Sequence, residues 1–194
     1  DEGLVGSEMC IRDSSKPFSL DFETLDKEKK SNNLLHKCFS KFDVSLKVFD
    51  LTAGFCKDAY SIANMGFQVT AYEKESWLFE FNKTCLSSLK KSNLNLINLN
   101  SIRALKKVTK KDILFLDPMF EINSRASAKK EIQFLRKCIS TSSEKEILDA
   151  AQKSLAGVII IKRHKLSNSQ NPTKPSYVIK GKVISFEVFD RRAV

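Results

Sequence analysis

The stretch that decides the fold is residues 46–58, Leu-Lys-Val-Phe-Asp-Leu-Thr-Ala-Gly-Phe-Cys-Lys-Asp. It begins with an apolar segment and continues into a turn of small residues, with Asp50 before the turn and Asp58 after it. In an open α/β sheet, ligands bind beyond the carboxyl ends of the strands, where the first turn must let them approach the backbone. Ala53 and Gly54 are small enough for that approach. The stretch therefore predicts a buried strand followed by a ligand-binding turn.

Outward from this stretch, predicted strands alternate with predicted helices. The strands are Leu46–Leu51, Phe67–Tyr72, Leu94–Leu99, Ile113–Leu116 and Val158–Ile161. The helices are Asp58–Met65, Glu75–Lys90, Ile102–Lys107, Ala128–Cys138 and Ser143–Leu155. This alternation implies right-handed crossovers and a mostly parallel sheet with helices on both faces.

The end of the chain changes character. Tyr177–Ile179 and Val183–Phe189 flank Lys180-Gly181-Lys182, a pattern typical of a β-hairpin. A parallel sheet completed by an antiparallel hairpin is the outline of the class I methyltransferase variant of the Rossmann-like α/β fold. We therefore predict that fold class.

The length of 194 residues predicts one domain. Gly3–Ser14 has neither helical nor strand periodicity and resembles a translated sequencing-adapter fragment, so we expect residues 1–17 to be a disordered or non-native leader. Residues 18–194 then form the domain. Within it, residues 18–43 form a short appendage that contains a predicted strand, Phe18–Phe22, and a predicted helix, Ser31–Phe42.

The chain is strongly basic. It has 33 Lys and Arg against 23 Asp and Glu, a net charge of +10, which indicates a polyanionic partner such as nucleic acid or a membrane surface. No apolar run approaches the roughly 18 residues that a membrane span requires. We expect a soluble, cytoplasmic protein.

Cysteines and histidines do not suggest a metal site. The five cysteines are widely spaced without a C-x-x-C pair, which favours neither a disulfide framework nor zinc. His36 and His164 are the only histidines, and neither has a second ligand at metal spacing. We expect no metal.

Glu73 closes the second predicted strand, where a carboxylate can accept hydrogen bonds from both ribose hydroxyls of a nucleoside. The sequence lacks G-x-G-x-x-G, which disfavours a dinucleotide and favours an adenosyl cofactor without pyrophosphate. The alternative is that Glu73 is a solvated acid at a helix start, like Glu75.

Asp117-Pro118-Met119-Phe120 follows the fourth strand. A carboxylate and the Pro118 carbonyl could accept both hydrogens of an exocyclic amine and aim its lone pair at a methyl donor. Phe120 could stack on a base that has left its helix. The alternative is a plain strand-end turn, in which Asp117 is a cap and Phe120 is a core residue.

These segments resemble the RsmJ family, bacterial enzymes that use S-adenosylmethionine (SAM) to methylate N2 of a guanosine in 16S rRNA. The matching motifs, in order, are Phe49–Ala59 (FDLTAGFCKDA), Leu114–Phe120 (LFLDPMF), Ser127–Glu131 (SAKKE) and Ile161–Arg163 (IKR). The resemblance implies SAM as cofactor, S-adenosylhomocysteine (SAH) as product, 16S rRNA or the 30S subunit as partner, and catalytic roles for Asp117, Pro118 and Phe120.

Cofactor contacts are expected at the ends of the first four strands. Those implied by the resemblance are Lys57, Asp58, Glu73, Lys74, Asn100, Ser101 and Asp117, and the turn itself adds Asp50, Thr52, Ala53 and Gly54. The chain departs from the family at three positions. Cys56 replaces a second glycine, Lys57 an arginine and Glu121 a proline. If position 56 needs a positive φ angle, the Cys56 side chain could crowd the methionine part of the cofactor.

Basic residues around the later strands supply candidate RNA contacts. Two clusters are Arg125, Lys129 and Lys130 after the fourth strand, and Lys162, Arg163 and Lys165 after the fifth. A third, Lys106, Lys107, Lys110 and Lys111, could lie at the opposite edge of the sheet. Clusters that converge on one opening would bind RNA phosphates.

Two other functions remain open. A DNA adenine or cytosine amino-methyltransferase orients its amine by the same logic, although the chain offers no separate target-recognition domain. A non-catalytic RNA-binding assembly factor would result if Cys56 abolished cofactor affinity.

Overall fold

The computed structural model describes residue 22 and residues 34–87, 89, 92–118, 144–165 and 173–192. The strands are β1 (Lys47–Asp50), β2 (Val69–Glu73), β3 (Leu94–Asn98), β4 (Asp112–Leu116), β5 (Val158–His164), β6 (Tyr177–Lys180) and β7 (Ile184–Asp190). The helices are α1 (Leu34–Phe39), α2 (Lys57–Asn64), α3 (Ser76–Ser87) and α4 (Glu144–Lys153), with a 3-10 helix at Ser101–Lys107.

The seven strands form one sheet in the order β3-β2-β1-β4-β5-β7-β6. Strands β1 to β5 pair in parallel, whereas β7 pairs antiparallel with both β5 and β6. The predicted α/β architecture, a mostly parallel sheet ending in an antiparallel hairpin, is therefore confirmed. The strand order reverses between β1 and β4, which in open α/β sheets is where the ligand crevice lies.

Several predicted boundaries differ from the structure. β5 continues to His164 instead of ending at Ile161, so Lys162 and Arg163 lie within the strand. Phe22 has a helical backbone, so a strand over Phe18–Phe22 does not reach its last residue. The predicted helix Ala128–Cys138 and the leader lie outside the described residues.

Two apolar cores cover the two faces of the sheet. On one face, α1 and α2 pack over the centre of β1, β2, β4 and β5, with Phe39 at the junction of Phe67 and Phe115. On the other face, the 3-10 helix and α4 pack against Leu114, Ile159 and their neighbours. Both faces of the central strands are therefore buried, which explains why β4 is almost entirely apolar and β5 begins with four apolar residues.

All the described helices are short, and the longest, α3, has 12 residues. None within the described ranges combines the length and the apolarity that crossing a membrane would require. α2 illustrates how they pack, because its buried residues Ala59, Tyr60, Ile62 and Ala63 recur at helical spacing.

Gly157 precedes β5 and packs directly against the backbone of Lys110, which precedes β4. A β-carbon there would lie 2.0 Å from the carbonyl oxygen of Lys110, which no side-chain rotation can relieve. We predict that Gly157→Ala lowers the free energy of unfolding by about 2 kcal/mol, measured by urea denaturation.

The matched control for this substitution is Lys110→Ala, which removes the exposed side chain but keeps the carbonyl. It should have little effect alone and should not rescue Gly157→Ala. Wild-type stability of Gly157→Ala would show that the two segments are free to separate.

Candidate active site

Charged side chains end the rows of apolar residues on the sheet face covered by α1 and α2. Residues two apart on a strand share a face, so each row can be read along its strand. The rows are Val69-Ala71-Glu73, Val48-Asp50, Ile113-Phe115-Asp117 and Val158-Ile160-Lys162. The four charged residues therefore meet at the carboxyl edge, beside the reversal of strand order.

The turn after β1 contacts two of these acids directly. The N–H of Gly54 donates to Oε2 of Glu73 at 3.0 Å, and the hydroxyl of Thr52 accepts from the N–H of Asp117 at 2.7 Å. The N–H of Thr52 donates in turn to Oδ1 of the buried Asp50 at 3.0 Å. One short turn thus holds the end of β2 and the residue after β4 together.

Asn82 also binds this turn, a contact that was not predicted from the sequence. Its Nδ2 donates to the carbonyl oxygen of Gly54 at 2.6 Å, while Glu73 binds the N–H of the same glycine. Gly54 has φ +51, and a β-carbon built there would be in ordinary van der Waals contact with the carbonyl oxygen of Thr52 at 3.8 Å. The available signal was the spacing of Asn82, which lies one helical turn after buried Leu78 on α3.

Glu73 is almost fully buried, with 6% of its surface exposed. Oε1 accepts from the N–H of Glu75 at 2.9 Å, and Oε2 accepts from Gly54. Burial raises the pKa of Glu73, and these backbone donors oppose the rise. Each carboxylate oxygen has a second lone pair, so Glu73 can still accept from a ligand hydroxyl.

Cys56 has φ 56 and ψ 14, so the position does require the left-handed conformation that the sequence analysis considered. The side chain is fully buried and belongs to the core under α2. Burial raises the pKa of its thiol well above the ordinary value, and Asp50 and Glu73 add to the rise. The thiol is thus a packed, neutral group.

Lys162 connects three elements of the site. Its ammonium donates to Oδ2 of Asp58 at 2.6 Å and to Oδ2 of Asp117 at 2.7 Å. These residues lie on β5, at the start of α2 and after β4. Lys162, predicted as an RNA contact, is therefore engaged with two predicted cofactor or catalytic residues.

Other predicted cofactor residues lie around the same edge. Asn100 follows β3, and its side chain accepts from the N–H of Ile102 as the cap of the 3-10 helix. Ser101 is buried behind it, while Lys74 is exposed and lies 3.8 Å from a carboxylate oxygen of Glu75. Ala53 and Pro118 are buried, and Lys57 is the first residue of α2.

The predicted RNA contacts are dispersed. Arg163 is 5% exposed and pairs with Glu187 at 3.0 Å on the sheet, whereas Lys165 is exposed beyond the end of β5. Lys110 and Lys111 precede β4 and so lie at the opposite edge from the site. Phe120, Arg125, Lys129 and Lys130 lie outside the described residues.

In the described ranges, no three His, Cys, Asp or Glu side chains are grouped so as to hold a metal ion. The chemistry that the site offers is that of hydrogen-bond acceptors, carboxylates and one cation.

Comparisons with known proteins agree with this geometry. Residues 23–191 match the sequence model of a family described as putative SAM-dependent methyltransferases. Ribosomal RNA small subunit methyltransferase J of Buchnera aphidicola is 28% identical over 83% of this chain and 70% of its own length. The Coxiella burnetii protein of the same name is 29% identical over 73% of this chain. The chain spans only 59% of the length of that second relative.

Solved structures show the same fold. A SAM-dependent methyltransferase from Neisseria gonorrhoeae aligns with a TM-score of 0.69 at 21% identity, covering 94% of this chain and 78% of its own. The T. thermophilus 16S rRNA N2 methyltransferase RsmC, in complex with AdoMet and guanosine, aligns with a TM-score of 0.54 at 15% identity, covering 93% and 45%. The predicted class I methyltransferase fold is confirmed.

Asp50 should make stability depend on pH. Burial raises its pKa to about 8, the N–H of Thr52 lowers it, and Asp58 and Asp117 raise it further. The folded state therefore retains a proton that the unfolded chain releases at about pH 4, so stability falls as the pH rises from about 4 to 8.

We predict that Asp50→Asn, which keeps an acceptor for Thr52 but cannot ionise, removes this loss. Its stability relative to wild type should rise by about 2 to 4 kcal/mol between pH 5 and pH 9, measured by urea denaturation. Titrations of acids that do not interact with Asp50 are common to both proteins and cancel. A difference independent of pH would mean that buried Asp50 stays ionised.

Proposed function

Because the chain belongs to the family of putative SAM-dependent methyltransferases, we propose that it transfers a methyl group from SAM to the N2 amine of a guanosine in 16S rRNA. The RsmJ family assignment predicted from the motifs is confirmed by the curated relatives. The reaction, its substrate and its ribosomal partner are our proposal for this chain.

One observation carries the proposal. Residues Thr52 to Gly54 make hydrogen bonds to both Asp117 and Glu73, so both proposed ends of the site contact one turn. Had these acids lain on different sides of the sheet, a cofactor held by Glu73 could not present its methyl group near Asp117. Methyl transfer requires such proximity, since the reacting atoms must approach to about 3 to 3.5 Å.

The residues present fit the adenosyl cofactor. The Glu73 carboxylate retains lone pairs for ribose hydroxyls, and Gly54, which has no side chain, lets the methionine part approach the backbone of the turn. The carboxylates of Glu73 and Asp58 lie on either side of the turn at the same edge, where a positive ligand is favoured. SAM, when bound, supplies an electrophilic methyl group on a sulfonium.

Asp117 is the residue that we propose to orient the target amine. Its backbone is fixed by Thr52, and its side chain is 40% exposed, so the carboxylate is both held and accessible. It would accept one N–H of the amine, and the carbonyl of Pro118 the other. The nitrogen lone pair would then be directed at the methyl group. As the N–C bond forms, the bond from the methyl carbon to sulfur would break to leave SAH, and an amine proton would pass through the Asp117 carboxylate to water. We keep Phe120 as the proposed stacking residue.

Contacts to RNA remain part of the proposal. Lys165 is exposed and lies beyond the same strand end as Lys162, so it can reach phosphates near the crevice. Arg125, Lys129 and Lys130 stay proposed contacts, whereas the buried pair of Arg163 with Glu187 makes Arg163 a poor one. A 16S rRNA or 30S substrate would place this reaction in the cytoplasm.

Glu73→Gln should weaken SAH binding. A glutamine has one carbonyl oxygen for the N–H groups of Gly54 and Glu75, and it lacks the charge that strengthens bonds to ribose hydroxyls. We expect the SAH dissociation constant, measured by calorimetry, to increase by about 10-fold to 100-fold.

Glu75→Gln is the matched control, because this acid lies two residues after Glu73 and immediately before α3. Its affinity for SAH should stay within about threefold of wild type. Equal losses in both variants would contradict a ribose role for Glu73. A wild-type chain that binds no SAH would favour the non-catalytic assembly factor instead.

Asp117→Ala should abolish methyl transfer while leaving the fold intact. Loss of amine orientation should reduce kcat by at least about 100-fold on 16S rRNA or 30S subunits, measured with labelled SAM. Asp117→Asn, which retains one acceptor oxygen, should lose less activity than Asp117→Ala.

Near-wild-type turnover of Asp117→Ala would remove this residue from the mechanism. Parallel assays of the wild type on duplex DNA test the amino-methyltransferase alternative, which predicts activity on DNA and none on ribosomal subunits.

A further inference from the structure

Lys162 forms a cluster with Asp58 and Asp117. The geometry of this cluster differs from that of a surface lysine that contacts phosphates. The Lys162 side chain is only 20% exposed, and its ammonium bonds a carboxylate on each of two other elements. Asp58 and Asp117 are 26% and 40% exposed, so the cation lies deeper than either acid. Binding an RNA phosphate would require Lys162 to give up two charge-assisted hydrogen bonds.

The two oxygens of Asp117 are not equivalent. Oδ2 accepts from Lys162, so Oδ1 is the oxygen that Lys162 leaves for a target amine, and Asp58 also lies within hydrogen-bonding distance of the Asp117 side chain. Because the Lys162 side chain binds one oxygen of the carboxylate, the other oxygen points in a defined direction. Lys162 lies on β5, which pairs with both β4 and β7, so its position is firmly fixed.

On this basis, and resting on the proposed function, we propose that Lys162 is a positioning residue for methyl transfer. It holds Asp117 through Oδ2 so that Oδ1 is presented to the target amine, and it links this acid to Asp58 at the start of α2.

The charges around Asp117 make this role measurable. Asp50 approaches from the end of β1, Asp58 from α2 and Lys162 from β5. Burial raises the pKa of Asp117, Lys162 opposes the rise, and Asp58 adds to it. For Lys162, burial lowers the pKa, but the two carboxylates more than compensate and raise it overall, so the amine stays charged.

Without the ammonium, two carboxylates that were bonded to the same nitrogen atom would face each other. Such a pair shares a proton, so the form of Asp117 that accepts an amine N–H is reached only at higher pH. Methyl transfer should therefore lose activity first on the acidic side of its pH profile.

Lys162→Met is the main test, because methionine retains the unbranched apolar stem. We expect the acidic limb of the kcat profile on 30S subunits to move up by about one pH unit or more. In the acidic range kcat should fall about tenfold, and it should recover at alkaline pH. The KM for RNA and the dissociation constant for SAH should change less than about threefold.

Two further variants distinguish the positioning role of Lys162 from a general loss of folding. Lys162→Arg keeps the charge and should leave the limb close to wild type. Asp58→Asn removes the negative neighbour while Lys162 remains, so it should move the acidic limb to lower pH, opposite to Lys162→Met.

Lys165→Met is the matched control, because it removes an exposed lysine beyond the end of the same strand. It should raise the KM for RNA and reduce the salt dependence of binding, without moving the pH limb. If Lys162→Met behaves like Lys165→Met, Lys162 is an RNA contact and the positioning role is wrong.

The remaining outcomes are also decisive. A lower melting temperature with an unchanged pH profile would make the cluster a structural ion pair and overturn this role alone. A wild-type protein inactive on both 16S rRNA and 30S subunits would overturn the proposed function, and this role with it.

Discussion

The hydrogen bonds of residues Thr52 to Gly54 are the constraint on which the site depends. Each partner of this turn comes from a different part of the chain: Glu73 from the end of β2, Asp117 from the segment after β4, and Asn82 from α3. Buried backbone groups must be paired, and here Glu73 and Asn82 pair those of Gly54, while the Thr52 hydroxyl pairs the N–H of Asp117. The contacts that fix the turn therefore involve two of the residues that we propose for the site.

Several acidic groups lie close together at this edge of the sheet. Three carboxyl groups, of Asp50, Glu73 and Asp117, lie at the ends of apolar rows, where burial raises their pKa values. Lys162 pairs with Asp117 and with Asp58. Asp50 retains its proton below about pH 8, so a positive cofactor would be attracted mainly by the carboxylate of Glu73.

Much of the fold could be predicted because its signals are local. The apolar rows of β4 and β5, the turn around Gly54 and the hairpin around Gly181 depend on residues close in sequence. The end of β5 was predicted too early because charged Lys162 and Arg163 interrupt its apolar run. They remain in the strand because each finds a carboxylate partner, Asp117 for one and Glu187 for the other.

The sequence by itself determined the order of strands and helices, the small-residue turn, the acids at the strand ends and the family. These follow from periodicity, residue size and motif spacing, which need no knowledge of distant contacts. Only the tertiary structure decided that adjacent Lys162 and Arg163 serve different partners, that Asn82 binds Gly54, and that the Cys56 thiol packs in the core. The reason is physical: successive side chains on a strand point to opposite faces, and their partners lie on elements that only folding brings together.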